Sequence, residues 1–170
     1  KALLANVADE ATCVRIAAAG FPGVELMKKD VSFEAAKAGR KCADSHGLRI
    51  HSLMVGWANF NADDPAARKK SVEDVKRCLH IAGIYGTDAV LLVPARVNAP
   101  AIKGADFAID FDPGTLLVKS VVKGDNAPYA DYIEAQNKSS ERCRACVEEL
   151  IPVAKQEGVV IALENVWNNL

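Results

Sequence analysis

The stretch SVEDVKRCLHIAGIYGTDAVLLV, residues 71–93, decides the fold. Val72, Val75, Leu79 and Ala82 recur at helical spacing, with Glu73, Lys76, Arg77 and His80 on the opposite face, which predicts an amphipathic helix over residues 71–85. Ser71 reads as its N-cap, with Pro65 as an earlier alternative start. Gly86 ends the helix, because glycine takes a left-handed backbone without a Cβ clash. Ala89-Val90-Leu91-Leu92-Val93 then reads as a short apolar strand. His80 falls on the charged face and is expected in solvent. His46 falls in the last turn of its own helix, where a cation suits the dipole.

The same helix, glycine and apolar run recur on both sides. Residues 8–19, Gly20 and residues 23–27 form one unit, and residues 32–46, Gly47 and residues 48–54 form another. A long segment ending at Glu157, then Gly158 and residues 159–163, forms the last. Helices alternating with short apolar strands indicate right-handed βαβ units and a parallel sheet. No strand is evident before Ala8. Pro152 lies inside the last helix and predicts a kink, and residues 128–136 are either a separate helix or its continuation.

Residues 95–127 break the rhythm. Phe107, Ile109 and Phe111 alternate with small or polar residues, Asp112-Pro113-Gly114-Thr115 suits a type II turn, and residues 116–122 read as a second strand. The expectation is an inserted β-hairpin serving as a lid, an oligomer contact or a neutral surface insertion.

Composition narrows the function classes. The chain has 170 residues, 21 basic and 22 acidic, for a net charge of −1. One domain is expected over residues 1–170, with no broad basic face for nucleic acid. No apolar run approaches the roughly 18 residues of a membrane helix, so no membrane partner is expected. Cys13, Cys42, Cys78, Cys143 and Cys146 are an odd, scattered set, a poor disulfide framework that points to a reducing, cytoplasmic setting by default. The start at Lys1 leaves room for an upstream signal segment. Cys143-Arg-Ala-Cys146 has metal-ligand spacing but no companion pair, and reads as two helix cysteines.

Three segments carry a resemblance. Phe21-Pro22-Gly23-Val24-Glu25-Leu26, Gly47-Leu48-Arg49-Ile50-His51, and Ile151-Pro152-Val153-Ala154 through Gly158-Val159-Val160-Ile161-Ala162-Leu163-Glu164-Asn165 resemble, in order and spacing, the xylose-isomerase-like TIM barrels. Sugar phosphate isomerases and epimerases are the group most similar. The resemblance implies an α/β chain holding about half of a (β/α)8 TIM barrel, from helix 1 to strand 5, with the hairpin inserted. It implies an isomerase or epimerase of a small sugar or sugar phosphate, working by proton transfer beside a carbonyl, with the fragment alone inactive. Alternatives within the fold are a lyase or dehydratase and a noncatalytic carbohydrate-binding barrel. Val93-Pro94-Ala95 stands where the related apurinic-site endonucleases carry His-Pro-Gly, which disfavours a nuclease.

Glu164 is the informative residue, a carboxylate closing an apolar strand. The resemblance implies that it is catalytic, moving a proton, and that it ligates a divalent ion such as Mn²⁺, Mg²⁺, Co²⁺ or Zn²⁺. The other ligands of that family are implied to come from later strands. Glu25, His51, Trp57, Arg96 and Asn165 are candidate substrate contacts at or near strand ends. Glu25 reads equally as an ion-pair partner in the barrel wall, and His51 as packing. Asn59, Phe60, Asn98 and Trp167 lie in the neighbouring loops, with aromatic rings available to a sugar face. Val166 replaces a histidine frequent in relatives. The exposed edges of a half barrel predict a homo-oligomer.

Overall fold

In the computed structural model, residues 2–27, 30–97 and 106–166 are described. The chain runs β1 (Leu3–Ala5), α1 (Glu10–Ala18), β2 (Gly23–Leu26), α2 (Phe33–Ser45), β3 (Arg49–Trp57), α3 (Pro65–Tyr85) and β4 (Ala89–Val93). It continues through β5 (Asp110–Phe111), β6 (Val118–Ser120), a 3-10 turn at Ala127–Tyr129, α4 (Ala130–Glu157) and β7 (Val160–Leu163). Five strands form one sheet in the order β1-β2-β3-β4-β7, and every neighbouring pair is parallel. Strands placed in chain order without a reversal make an arc of a barrel, whereas a doubly wound sheet reverses its order at a switch point.

β1 corrects the expectation that nothing precedes Ala8. It is three residues long, too short to show a period, and pairing fixes it: Leu3 lies opposite Val24 and Ala5 opposite Leu26.

Val24, Leu26, Ile50, Leu53, Val90 and Leu92 of the strands join Cys13, Ile16, Ala36, Ala43, Val72, Leu79 and Leu150 of the helices in one buried cluster. The four helices therefore pack on one face of the sheet. Strand side chains alternate, so Leu4 and its register partner Glu25 lie on the other face, where Leu4 is 47% exposed.

Helix caps explain the boundaries. Asp64, not Ser71, caps α3: its Oδ1 accepts from Ala66 N at 2.9 Å, and Pro65 stands in the first turn, where its missing N–H costs nothing. Ser71 Oγ instead accepts from Asn59 N at 2.9 Å, tying the loop after β3 to the helix. Gly86 closes α3 in the left-handed region at φ 67°, as expected. Residues 128–136 are divided between the 3-10 turn and the start of α4, a 28-residue helix that runs on through Pro152. Leu150 and Ala154 are buried along it, while Ile151 is 40% exposed. His80 is not simply solvated. Its Nδ1 lies 2.8 Å from Glu157 Oε1, linking the C-terminal halves of α3 and α4.

The insertion is a small hairpin docked on α4. Asn137 grips β6 at both backbone groups, accepting from Val118 N at 2.7 Å and donating to Val118 O at 2.9 Å. Arg144 Nη2 donates to Thr115 O at 3.1 Å. Gly114 is not in the left-handed region that a type II turn needs. Instead Asp112 Oδ1 accepts from Gly114 N, Thr115 N and Thr115 Oγ1, and Leu116 takes φ 61°. Phe107, Ile109 and Phe111 are all about half exposed, so their alternation marks no buried face here.

Candidate functional site

β3 carries two register slips. Val24 pairs with Ile50 but Glu25 pairs with Ser52, so His51 is an extra residue in β3. A second slip passes over Val55, next to Gly56 at φ 73°, a conformation glycine adopts freely. The first slip brings Ser52 opposite Glu25, and Ser52 Oγ donates to Glu25 Oε1 at 2.8 Å. Ser52 carries no signal in the sequence, since plain alternation cannot reveal a bulge. The His51 ring lies against Gly23, where a Cβ would meet it at 2.5 Å. Arg49 and Asp88 form an ion pair at the N-terminal start of β3.

At the other end of the strands the rim is polar. Trp57 pairs in register with Val93, and Glu164 N donates to Leu92 O at 3.0 Å, so Glu164 extends the β7 ladder to the level of Trp57. The Arg96 guanidinium lies 4.7 Å from the Trp57 ring centroid. Asn61 Nδ2 donates to Arg96 O at 3.1 Å and fixes the loop after β4. Glu164 and Asn165 are both exposed. A cavity of about 600 Å³ opens beside Trp57, lined by Asp30, Asn59, Lys70, Ser71 and Arg77 among others. A second, of about 410 Å³, lies between Trp57, Asn59 and Arg96. Trp57 thus borders both. Lys70, which pairs with Asp74 at 2.7 Å, was given no role by sequence reasoning, because a charged helix face looks like any solvated one.

The structure brings Trp57, Arg96 and Glu164 to one end of the sheet and leaves Glu25 and His51 deeper. Glu25 shares the register level of Ser52, Ala89 and Val160, four positions before Glu164 along β7. That separation is about 13 Å at ~3.3 Å per residue. Phe60 is fully buried, which removes it from the sugar-contact candidates. Asn98 and Trp167 lie outside the described residues.

At this rim the described residues supply one candidate ligand, Glu164, toward the implied divalent ion. A catalytic metal takes about three protein ligands. Among the described residues, the one cluster of three His, Cys, Asp or Glu ligand atoms is Glu10, Cys42 and His46, and Glu164 has no such company. Cys143 and Cys146 are buried along α4, where burial pushes the Cys143 thiol up to about 12, the state of an inert packing residue.

Parallel strands in chain order, helices on one face and polar side chains at the strand ends define a TIM-barrel scaffold. The chain belongs to the xylose isomerase-like TIM barrel family, whose profile matches residues 13–170. Among solved structures it is similar to a D-psicose 3-epimerase, at 16% identity and TM-score 0.61 over 95% of this chain and 48% of that one. It is also similar to a 3-keto-D-glucoside 4-epimerase from E. coli, at 14% identity and TM-score 0.63 over 99% and 58%. A D-allulose 3-epimerase from Methylomonas sp. matches at 16% identity and TM-score 0.60 over 99% and 53%. The chain spans about half the length of these structures. A search of curated proteins by sequence finds no match. Among the described residues no helix is long and apolar enough to cross a membrane.

Proposed function

We propose that this chain carries part of the active site of an isomerase or epimerase acting on a small sugar or sugar phosphate. The observation that carries the reading is Glu164: an exposed carboxylate at the C-terminal end of β7, level with Trp57, in a barrel family. The sugar epimerases among its fold neighbours support the substrate class.

In this reading the Glu164 carboxylate takes the proton from the carbon beside a sugar carbonyl. The C–H electron pair moves into the new C=C bond of an enediolate, and the carbonyl π pair goes to oxygen. Return of the proton to the neighbouring carbon, with that carbon's hydroxyl proton passing to the former carbonyl oxygen, isomerises, whereas delivery of a proton to the first carbon by a second acid on the opposite face epimerises. Arg96 supplies a fixed cation for a phosphate or developing oxyanion, held by its stack on Trp57. Asn165 offers an amide to a sugar hydroxyl, and the Glu25–Ser52 pair and His51 line the sheet interior below. A divalent ion at the rim would polarise the substrate oxygens. Glu164 would be one ligand, with its partners drawn from outside the described residues.

The test is deuterium exchange in D₂O, read by NMR at the carbon beside the carbonyl, for the full-length polypeptide on a panel of ketoses and ketose phosphates. Wild type exchanges and converts at least one sugar, and Glu164→Gln slows this by at least about 10²-fold with an unchanged far-UV spectrum. Binding without exchange in the wild type would assign a noncatalytic sugar-binding barrel. Exchange unaffected by Glu164→Gln would remove Glu164 from the chemistry.

A further inference from the structure

Three ligand-type side chains converge between α1 and α2, on the helix side of the sheet. Glu10 lies in the first turn of α1, while Cys42 and His46 are four apart at the end of α2 and so share one side of that helix. His46 Nε2 lies 2.9 Å from Glu10 Oε1, and the Cys42 thiol donates to Glu10 Oε2 at 3.6 Å. All three ligand atoms fall within 4.8 Å of one another.

We propose that Glu10, Cys42 and His46 form a structural binding site for Zn²⁺, independent of the strand-end rim. Thiolate, imidazole and carboxylate together are the donor set of a borderline-soft ion and poorly suit Mg²⁺ or Ca²⁺. Zinc bond lengths of about 2.0–2.3 Å place tetrahedral ligands about 3.3–3.8 Å apart, close to the spacing already present. Three protein donors leave the fourth tetrahedral position to water. The site is open to an entering ion, since the Glu10 side chain is 75% exposed and that of His46 24%. An ordinary Glu10–His46 pair explains only the 2.9 Å contact. It leaves unexplained why the Cys42 thiol turns toward the same carboxylate. On binding, the Cys42 thiol gives one proton to solvent, with no change of oxidation state.

The site would pin α1 to α2, a pair with few other contacts. The experiment is titration of the chelator-treated full-length polypeptide with Co²⁺, following thiolate-to-cobalt charge-transfer absorption, then displacement with Zn²⁺. One thiolate-bound ion per chain is expected, and Zn²⁺ raises the melting temperature. Cys42→Ser and His46→Gln each weaken binding by at least about 10²-fold, beyond what loss of a supporting hydrogen bond costs. Glu164→Gln leaves the band intact, which separates this site from the rim. Absence of a thiolate band in folded wild type would overturn the proposal and leave an ion pair only. So would a band that survives Cys42→Ser, since it would then arise from other cysteines. Should Cys42→Ser misfold, Glu10→Gln, on an exposed side chain, tests the same prediction through weakened affinity.

Discussion

The Arg96 guanidinium sits 4.7 Å from the centroid of the Trp57 ring, a contact that joins the ends of β3 and β4 across residues 39 positions apart in sequence. An exposed cation–π contact stabilises by about 0.5–1 kcal/mol. Arg96→Ala is therefore expected to lower stability by no more than about 1 kcal/mol and to shift the Trp57 fluorescence. Its larger effect falls on KM for phosphorylated sugars, with kcat little changed. A loss of kcat with unchanged KM would place Arg96 in the chemistry instead of in binding.

Gly23 sets the closeness of β2 and β3. A Cβ there would meet the Arg49 carbonyl and the His51 ring, both at 2.5 Å. The ring can swing away, but the backbone oxygen cannot. Gly23→Ala should destabilise by about 1–3 kcal/mol, the usual range for overpacking, in denaturant melts. Adding His51→Ala should recover only part of that loss, and full recovery would show that the backbone contact yields easily.

Asp63 bridges the approach to α3 and the body of α4. Its Oδ1 accepts from Lys138 Nζ and Arg142 Nη1, both at 3.0 Å. Hydrogen bonds from Lys138 and Arg142, then their charges, hold its carboxyl below the ordinary 3.8. A carboxylate lowered in the folded state adds stability above its unfolded value and loses it as pH falls through the folded one. Asp63→Asn should therefore reduce stability at neutral pH and flatten the pH dependence below about 3.8. An unchanged acid limb in urea melts collected from pH 2 to pH 6 would show that the pair is fully screened by water.

Leu150 and Ile151 are adjacent in α4 yet differ in burial, 0% against 40%. Leu150→Ala should cost about 2–5 kcal/mol through the cavity it leaves. Ile151→Ala should cost about 0.5 kcal/mol or less, as for a surface change. Equal costs would mean that Ile151 is covered in the natural protein, by a partner or by more of the barrel.

Wherever a period ran long enough to count, the fold was legible. The α3 stripe of Val72, Val75, Leu79 and Ala82, the glycine stops and the apolar runs at β2, β3, β4 and β7 specify alternating helices and parallel strands, because one buried face imposes 3.6 on a helix and short apolar runs on the sheet. The motifs around Glu25 and Glu164 are legible in sequence, and Glu25 lies within β2 and Glu164 directly after β7. Hidden from sequence were the features that arise between segments. β1 is three residues defined by its partner, and the slip at His51 that sets Ser52 against Glu25 exists only in the ladder. Asp64 caps α3 because the helix starts at Pro65, which leaves Ser71 inside it with its hydroxyl accepting from the Asn59 N–H. The stack of Arg96 on Trp57 and the gathering of Glu10, Cys42 and His46 likewise required the helices and strands to be packed. Local spacing fixes which side of its own element a residue occupies, but only tertiary structure decides which side chain from another element it meets.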